Sequence, residues 1–369
     1  MSRGEGVYPS QWIVKAIGDD TIRSRLKLPD DSVKQLQPAS LDLRLGAKAY
    51  RLRSSFLPTD ETVDSKLERY AMGAELDLRD GAILERNTPY LIPLEESLEL
   101  PGDVRAKANP KSSIGRLDIF TRVITDRGAR FDEIRWGYTG ALFLEVFSRT
   151  FTIRVQSGQA LNQLRLIQGR SRLADEEILA RQEHRPIVVN DAGPIRVDSG
   201  LFLSLDLDGD ERGFVGYRAR KNSQLLDLTV IGGADPDLFW EPVRTEKGSS
   251  RLILEPEEFY LLMSREAVAI PPDLAAEMNA YDPTSGELRT HYAGFFDPGF
   301  GYSDEAPQRG SRAVLEVRAH DVPFVVEHGQ PICTLGFERM LEEPQILYGE
   351  VIGSSYQGQA DFLSKYFLR

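Results

Sequence analysis

A period of two can be read through Ala141-Leu142-Phe143-Leu144-Glu145-Val146-Phe147, apolar but for Glu145, and again through Phe151-Thr152-Ile153-Arg154-Val155, where apolar and polar residues alternate. Such alternation marks half-buried β-strands, whose side chains point to opposite faces in turn. Ser148-Arg149-Thr150 between the two runs reads as a short turn, so the pair is predicted to form a hairpin. The same unit recurs in Ala313-Val314-Leu315-Glu316-Val317 and Val322-Pro323-Phe324-Val325-Val326, joined by Ala-His-Asp, with Pro323 expected at a strand edge. Helical spacing is confined to Gln11–Ile17 and to Ser171–Glu183, where Leu173, Ile178 and Leu179 line one face.

The recurrence extends along the chain. Ser40-Leu41-Asp42-Leu43-Arg44-Leu45-Gly46 is echoed by Ser204-Leu205-Asp206-Leu207-Asp208-Gly209 at an offset of 164, and Pro101-Gly102-Asp103-Val104 with Asn109 by Pro271-Pro272-Asp273-Leu274 with Asn279 at 170. Ser112-x-x-x-Arg116 returns as Ser285-x-x-x-Arg289, Leu144-Glu145-Val146 as Leu315-Glu316-Val317, and Gly158-Gln159 as Gly329-Gln330. An ordered set of matches of this kind indicates one internal duplication. Repeated short strands punctuated by Gly and Pro predict two tandem antiparallel β-barrels or sandwiches, over residues 1–172 and 173–369, with the charge-rich Ser171–Glu183 stretch as the linker. A length of 369 residues agrees with two domains of the usual ~150–200.

Composition narrows the function. The chain is 41% hydrophobic and 28% charged, ordinary for a globular protein. Its 45 Lys plus Arg against 57 Asp plus Glu give a net charge of −12, which disfavours nucleic acid polymers and anionic membranes as partners. A polyanionic small ligand therefore requires a local basic pocket. No apolar leader opens the sequence and no apolar run approaches the ~18 residues of a membrane span, so a cytoplasmic protein is expected. Cys333 is the single cysteine and the four histidines, His184, His291, His320 and His328, form no His-x-x-x-His pair. A cysteine-based zinc cage and the zinc-dependent deaminase signature are excluded on ligand count.

Candidate chemistry thus falls to carboxylates, hydroxyls and cations. Lys111-Ser112-Ser113-Ile114-Gly115-Arg116 gathers two cations, two hydroxyls and a glycine in six residues, a set able to cradle phosphates or orient a water. The alternative is a polar turn capping a short helix. Glu145 shares the strand parity of Ala141 and Phe143, so its carboxylate is expected on an apolar face, where desolvation raises its pKa toward that of a general base. An exposed barrel residue or one half of an ion pair is the other reading.

Three stretches together, Pro38–Gly46, Lys111–Leu117 and Gly137–Glu145, resemble the dCTP deaminase family of the dUTPase-like fold. In the second half Asp297-Pro298-Gly299-Phe300-Gly301, Leu315-Glu316-Val317 and Tyr356-Gln357-Gly358-Gln359 carry the same resemblance. It implies a mainly β protein of two tandem distorted barrels of the β-clip type with a few short helices. It further implies a homotrimer with sites between subunits, and zinc-independent hydrolysis of dCTP to dUTP and ammonia with magnesium on the triphosphate. Carried over by position, Ser112 and Arg116 would hold the catalytic water and shape the site, with Glu145 as general base. Lys111 and Ser113 would bind nucleotide, as would Tyr348 and Gln359 in the tail, although Ser355 stands where a lysine is expected. Ser285, Arg289 and Glu316 are the second-half counterparts, but Thr284 and Glu287 depart from the pattern around them, so catalysis is expected in the first half with the tail as a lid. A dUTP diphosphatase or a bifunctional enzyme, and a nucleotide-binding regulator without turnover, are the alternatives.

Overall fold

In a computed structural model the described residues are 4–24, 35–245, 249–280, 288–290, 294–303, 310–319, 321–349 and 362–369. They build two mainly β halves of one plan. In the first, a sheet runs Gly6–Val7, Ala160–Gln168, Val104–Pro110, Glu133–Ile134, with Leu41–Arg44 also on Ala160–Gln168. A second sheet runs Leu76–Asp77, Lys48–Arg51, Pro89–Glu99, Thr139–Ser148, Ile119–Thr125. The second half repeats both, as Leu201–Ser204, Pro331–Arg339, Leu274–Ala280, Phe295–Phe296 and as Trp240–Arg244, Phe214–Ala219, Phe259–Val268, Ser311–Ala319, Leu288–Thr290. Alternation is obeyed on the Glu145 strand. Leu142, Leu144 and Val146 enter the main core of the first half, whereas Ala141 and Phe143 join a satellite cluster with Leu52, Phe56 and Val63. The predicted helices occur as Ser10–Gly18 and Asp175–His184; on the latter Ile178 is buried, but Leu179 faces solvent. A further helix, Val63–Tyr70, starts where the Thr62 hydroxyl accepts from the Ser65 N–H at 3.2 Å.

The predicted hairpins do not form. Thr139–Ser148 pairs with Pro89–Glu99 and Ile119–Thr125, while Ile153–Val155 crosses to Ala82–Leu84; likewise Phe324–Glu327 pairs with Arg251–Leu254 rather than with Ser311–Ala319. The connecting turn is tied down elsewhere, with Arg149 N–H on the Asp118 carbonyl at 3.0 Å and the Ser148 hydroxyl on the Phe151 carbonyl at 2.6 Å. It acts as a corner between sheets. The register of the duplication also differs near its start. Leu43 lies opposite Asn162 as Leu203 lies opposite Cys333, so Leu41–Arg44 corresponds to Leu201–Ser204 and the offset there is 160. Ser204-Leu205-Asp206-Leu207 is thus a chance echo of the earlier motif.

The halves interpenetrate. Leu226–Asp227 of the second half adds a parallel strand beside Ile153–Val155 of the first. Leu363, Tyr366 and Phe367, at the end of the chain, are buried in the first half's core together with Trp240. Phe367 meets Phe239 and Trp240 edge-on at ring-centroid distances of 5.5 and 6.0 Å. Leu363, Ser364, Tyr366 and Phe367 are thus core rather than lid, while Leu368 is exposed. Between the halves lies a polar seam. Arg165, wholly buried, donates to the Ala276 carbonyl at 3.0 Å and to Asp297 at 2.9 Å, with Glu338 at 3.5 Å and its guanidinium over the Phe295 ring. Lys107 reaches Glu277 at 2.7 Å beside it. Among the described residues no helix is long and apolar enough to cross a membrane.

Candidate active site

The Lys111–Arg116 segment folds as sequence spacing suggested, as a short helical turn. Ser112–Gly115 forms the helix, Lys111 stays extended before it, and the Ile114 and Gly115 N–H groups both bond the Lys111 carbonyl, at 2.7 and 3.0 Å. Ile114 and Leu117 are fully buried and anchor the turn in the first core. That leaves Ser112 exposed, while Ser113 and Arg116 are buried.

Glu316, a second-half residue, faces this turn across the seam. A Cβ added to Gly115 would lie 2.7 and 2.8 Å from the two carboxylate oxygens of Glu316, so glycine is what lets the carboxylate approach. Glu316 keeps partial access to solvent. Desolvation pushes its carboxyl up to about 8; Arg116 nearby pulls it down and Asp118 raises it further. Asp118 in turn is ion-paired with Arg318, two residues beyond Glu316 on the same strand. The C-terminus completes the turn's surroundings. The Ser364 hydroxyl donates to the Ser113 carbonyl at 2.6 Å, and Arg116 donates to the Phe362 carbonyl at 3.3 Å.

Positive charge collects on one side. Lys111 is ion-paired with the buried Asp42. Lys365 is close enough to feel both: burial lowers its pKa first, the like charge of Lys111 lowers it further, and Asp42 opposes. One carboxylate thus serves two lysines. Neither Asp42 nor Lys365 was singled out by the sequence reading. Asp42 lies within the Pro38–Gly46 motif, but Lys365 stands far along the chain from Lys111 and only the docking of residues 362–369 joins them.

Glu145 has a different environment. Its carboxylate lies 3.7 Å from Arg122, whose guanidinium stacks over Phe120 and Phe131, and it accepts from the Ser55 side chain. Burial raises its pKa, against the pull of Ser55 and Arg122, and its Oε2 has no hydrogen-bond partner. The segment around Phe56 and Tyr70, whose rings stack at 5.7 Å, packs on this face. The fold therefore brings Glu316, and not Glu145, to the Ser112–Arg116 turn. Strand parity predicted the raised pKa of Glu145 but carries no information on which turn a carboxylate meets. Tyr348 packs on Phe300 at 5.6 Å. Ser285 and Gln359 lie outside the described residues, and of Arg289 only the backbone is described, opposite Arg318. Asp206, Asp208 and His328 also cluster, but Asp206 is ion-paired with Arg312 and the His328 Nδ1 accepts from the Leu207 N–H.

If Glu316 works where it stands, Gly115→Ala should lower the turnover rate about 10- to 100-fold, because the new methyl displaces the carboxylate. The backbone tolerates alanine there, since its φ is not positive, and alanine favours a helix over glycine. The melting temperature should hold; unchanged kinetics in Gly115→Ala would contradict the contact's importance.

The two tandem β halves are those of the dUTPase-like fold, and at the Lys111–Arg116 turn they bring cations beside a carboxylate whose pKa burial raises. The family models for the 2'-deoxycytidine 5'-triphosphate deaminase (DCD) N-terminal and C-terminal domains match residues 4–170 and 174–367. The chain belongs to the dCTP deaminase family, and its reaction is the hydrolytic deamination of dCTP. It is similar to the crystal structure of 2'-deoxycytidine 5'-triphosphate deaminase from Agrobacterium tumefaciens, with 48% identity and a TM-score of 0.85 over 92% of this chain and 100% of that one. A dCTP deaminase of Acidianus ambivalens is 29% identical over 149 residues, covering 40% of this chain and 70% of its own. A relative from Thermobifida fusca, described as dCTP deaminase, dUMP-forming, is 32% identical over 117 residues, 31% of this chain and 55% of its own.

Proposed function

We propose that dCTP is deaminated in the cleft between the Ser112–Arg116 turn and the Glu316 strand, so that one chain supplies both sides of its site. In this reading the phosphates lie on Lys111 and Lys365 and the cytosine reaches toward Glu316. Glu316 takes a proton from a water held near Ser112 and Arg116, and the hydroxide attacks C4 of the ring. The C4–N bond then breaks and Glu316 returns the proton to the departing amine, so dCTP and water become dUTP and ammonia. Arg116, largely shielded from solvent, stabilises the charge that develops. The observation that carries this reading is the approach of the Glu316 carboxylate to Gly115 and Arg116. What favours Lys365 is its position beside a lysine that already has a carboxylate partner.

Magnesium enters the proposal on the triphosphate alone. The side chains assigned to the phosphates are the cations Lys111 and Lys365, and the carboxylates nearby are engaged, Asp42 with Lys111 and Asp118 with Arg318, so the protein's part in holding the metal is left to the triphosphate it carries. No step is routed through it. A homotrimer is proposed for the assembly from the family resemblance and the cytoplasm for the compartment; since both walls of the cleft belong to one chain, activity in this reading does not depend on assembly. Light scattering beside an assay at the same protein concentration tests both statements.

The dUMP-forming relative supports a second reading, in which deamination is followed by loss of pyrophosphate. Incubation with dCTP and magnesium, with ammonia, pyrophosphate, dUTP and dUMP resolved, distinguishes the two. Ammonia with dUTP supports the first, ammonia with dUMP and pyrophosphate the second, and no ammonia defeats both. For the phosphate assignment, Lys365→Met should raise KM for dCTP roughly tenfold or more while kcat changes less. An unaltered KM would remove Lys365 from the site.

A further inference from the structure

Glu316 and Arg318 stand two residues apart on one strand and so project from the same face, while Leu315, Val317 and Ala319 fill the second half's core. Opposite them, Arg116 and Asp118 stand two residues apart on the first half's turn. The charges are crossed: carboxylate faces guanidinium at one pair and guanidinium faces carboxylate at the other. We propose that the buried Asp118–Arg318 pair positions Glu316 against Arg116, making Asp118 and Arg318 positioning residues of the reaction. The inference rests on the reading of Glu316 as the base.

The pair is enclosed and tightly held. Asp118 has no exposed surface, and the side chain of Arg318 is 4% exposed. Asp118 accepts from Arg318 and from the Thr150 hydroxyl, and its own N–H bonds the Gly115 carbonyl at 2.9 Å, next to the point where Glu316 approaches. Arg318 also donates to the Glu257 carbonyl. One guanidinium thus joins a loop of the second half to the turn of the first. Asp118 holds φ at 58°, a left-handed conformation that few non-glycine residues adopt. Glycine would meet that backbone demand but would leave Arg318 buried without its carboxylate, which explains an aspartate at this point.

The groups that set the charge on Glu316 are identifiable. Arg116 and Asp118 face it from the first half, Arg318 lies on its own strand, and Cys333, on the strand Pro331–Arg339 of the second half's other sheet, has its thiol pushed up by burial, with Glu266 and Glu316 adding to that. Arg289 has its backbone opposite Arg318. Removing one member of the ion pair changes the net charge beside Glu316 in a known sense. In Arg318→Met the Asp118 carboxylate loses its compensating cation, which disfavours ionised Glu316. Asp118→Asn leaves the cation and favours it.

The experiment is the pH dependence of kcat/KM for dCTP in Arg318→Met, Asp118→Asn, the double variant and Glu316→Gln. The acidic limb should move up by about one pH unit in Arg318→Met, down by a similar amount in Asp118→Asn, and back toward the wild type in the double variant. The rate at the optimum should fall about 10- to 100-fold in each single variant, with KM within about threefold. A purely structural pair would lower stability without opposite displacements of the limb. If Arg318→Met fails to fold, Asp118→Asn and the double variant still carry the test. A dead Glu316→Gln with limbs that stay fixed or move together overturns the positioning role; an active Glu316→Gln overturns the reading on which it rests.

Discussion

Glu316→Gln should abolish deamination, with a loss of at least about 10²- to 10⁴-fold, the usual contribution of a positioned general base. The amide keeps the shape of the carboxylate and loses the proton acceptor. Glu145→Gln, which the sequence alone would have made the dead variant, should stay within a few-fold of the wild type, because its carboxylate lies with Arg122 and Ser55. Since burial pushes the Glu316 carboxyl up to about 8, the ionised form that accepts a proton gains population as pH rises, so kcat/KM should fall below about pH 8. The same shift has a consequence for stability. Between the ordinary carboxylate pKa and about 8 the fold holds a proton that the unfolded chain has released, so Glu316 weakens the fold as pH climbs through that window. Glu316→Gln should therefore melt no lower than the wild type at pH 8 to 9, and the two curves should converge at acid pH. Dead variants that melt early would point to misfolding; a dead Glu145→Gln beside an active Glu316→Gln would return catalysis to the other carboxylate.

The largest effect on stability is expected from Arg165→Ala. That substitution strips the cation from between Asp297 and Glu338, both buried, and removes the donor to the Ala276 carbonyl. Breaking one member of a buried ionic group typically costs about 3–5 kcal/mol, because the remaining charges stay desolvated without a partner. A fall in melting temperature of roughly 4–6 °C follows for a chain of this size. Pairing Arg165→Met with Asp297→Asn should recover part of that loss, since an orphaned carboxylate is then neutral. Arg165→Ala melting with the wild type, in thermal scans at neutral pH, would show that the seam contributes nothing to holding the halves together.

Much of this architecture was readable in the residues, and the limit is physical. Alternation identified the Glu145 and Glu316 strands, and the cluster at Lys111–Arg116 identified the turn, because both signals are local. The hairpins were misread because a short polar link between two alternating runs looks the same whether the chain folds back or turns a barrel corner. Burial of Phe151, Ile153 and Val155 in the first core is what draws the second run away. The choice between Glu145 and Glu316 depends on how two similar halves dock, and periodicity reports a face without naming the neighbour. Lys365 escaped notice for the same reason: its importance arises from the packing of Leu363, Tyr366 and Phe367 far from their place in sequence.

That packing has a bearing on how the protein is made. During synthesis domains generally fold as units, N-terminal first, but the core of the first barrel is finished only by side chains at positions 363, 366 and 367 and by a strand at Leu226–Asp227. A ribosome that stops at residue 361 has translated the whole of the Lys111–Arg116 turn and the Glu316 strand, yet it leaves a gap in the earlier barrel and omits Lys365. The first core is closed only by residues translated after the second barrel's strands, so a product truncated before them is left without a closed first core and without a complete site.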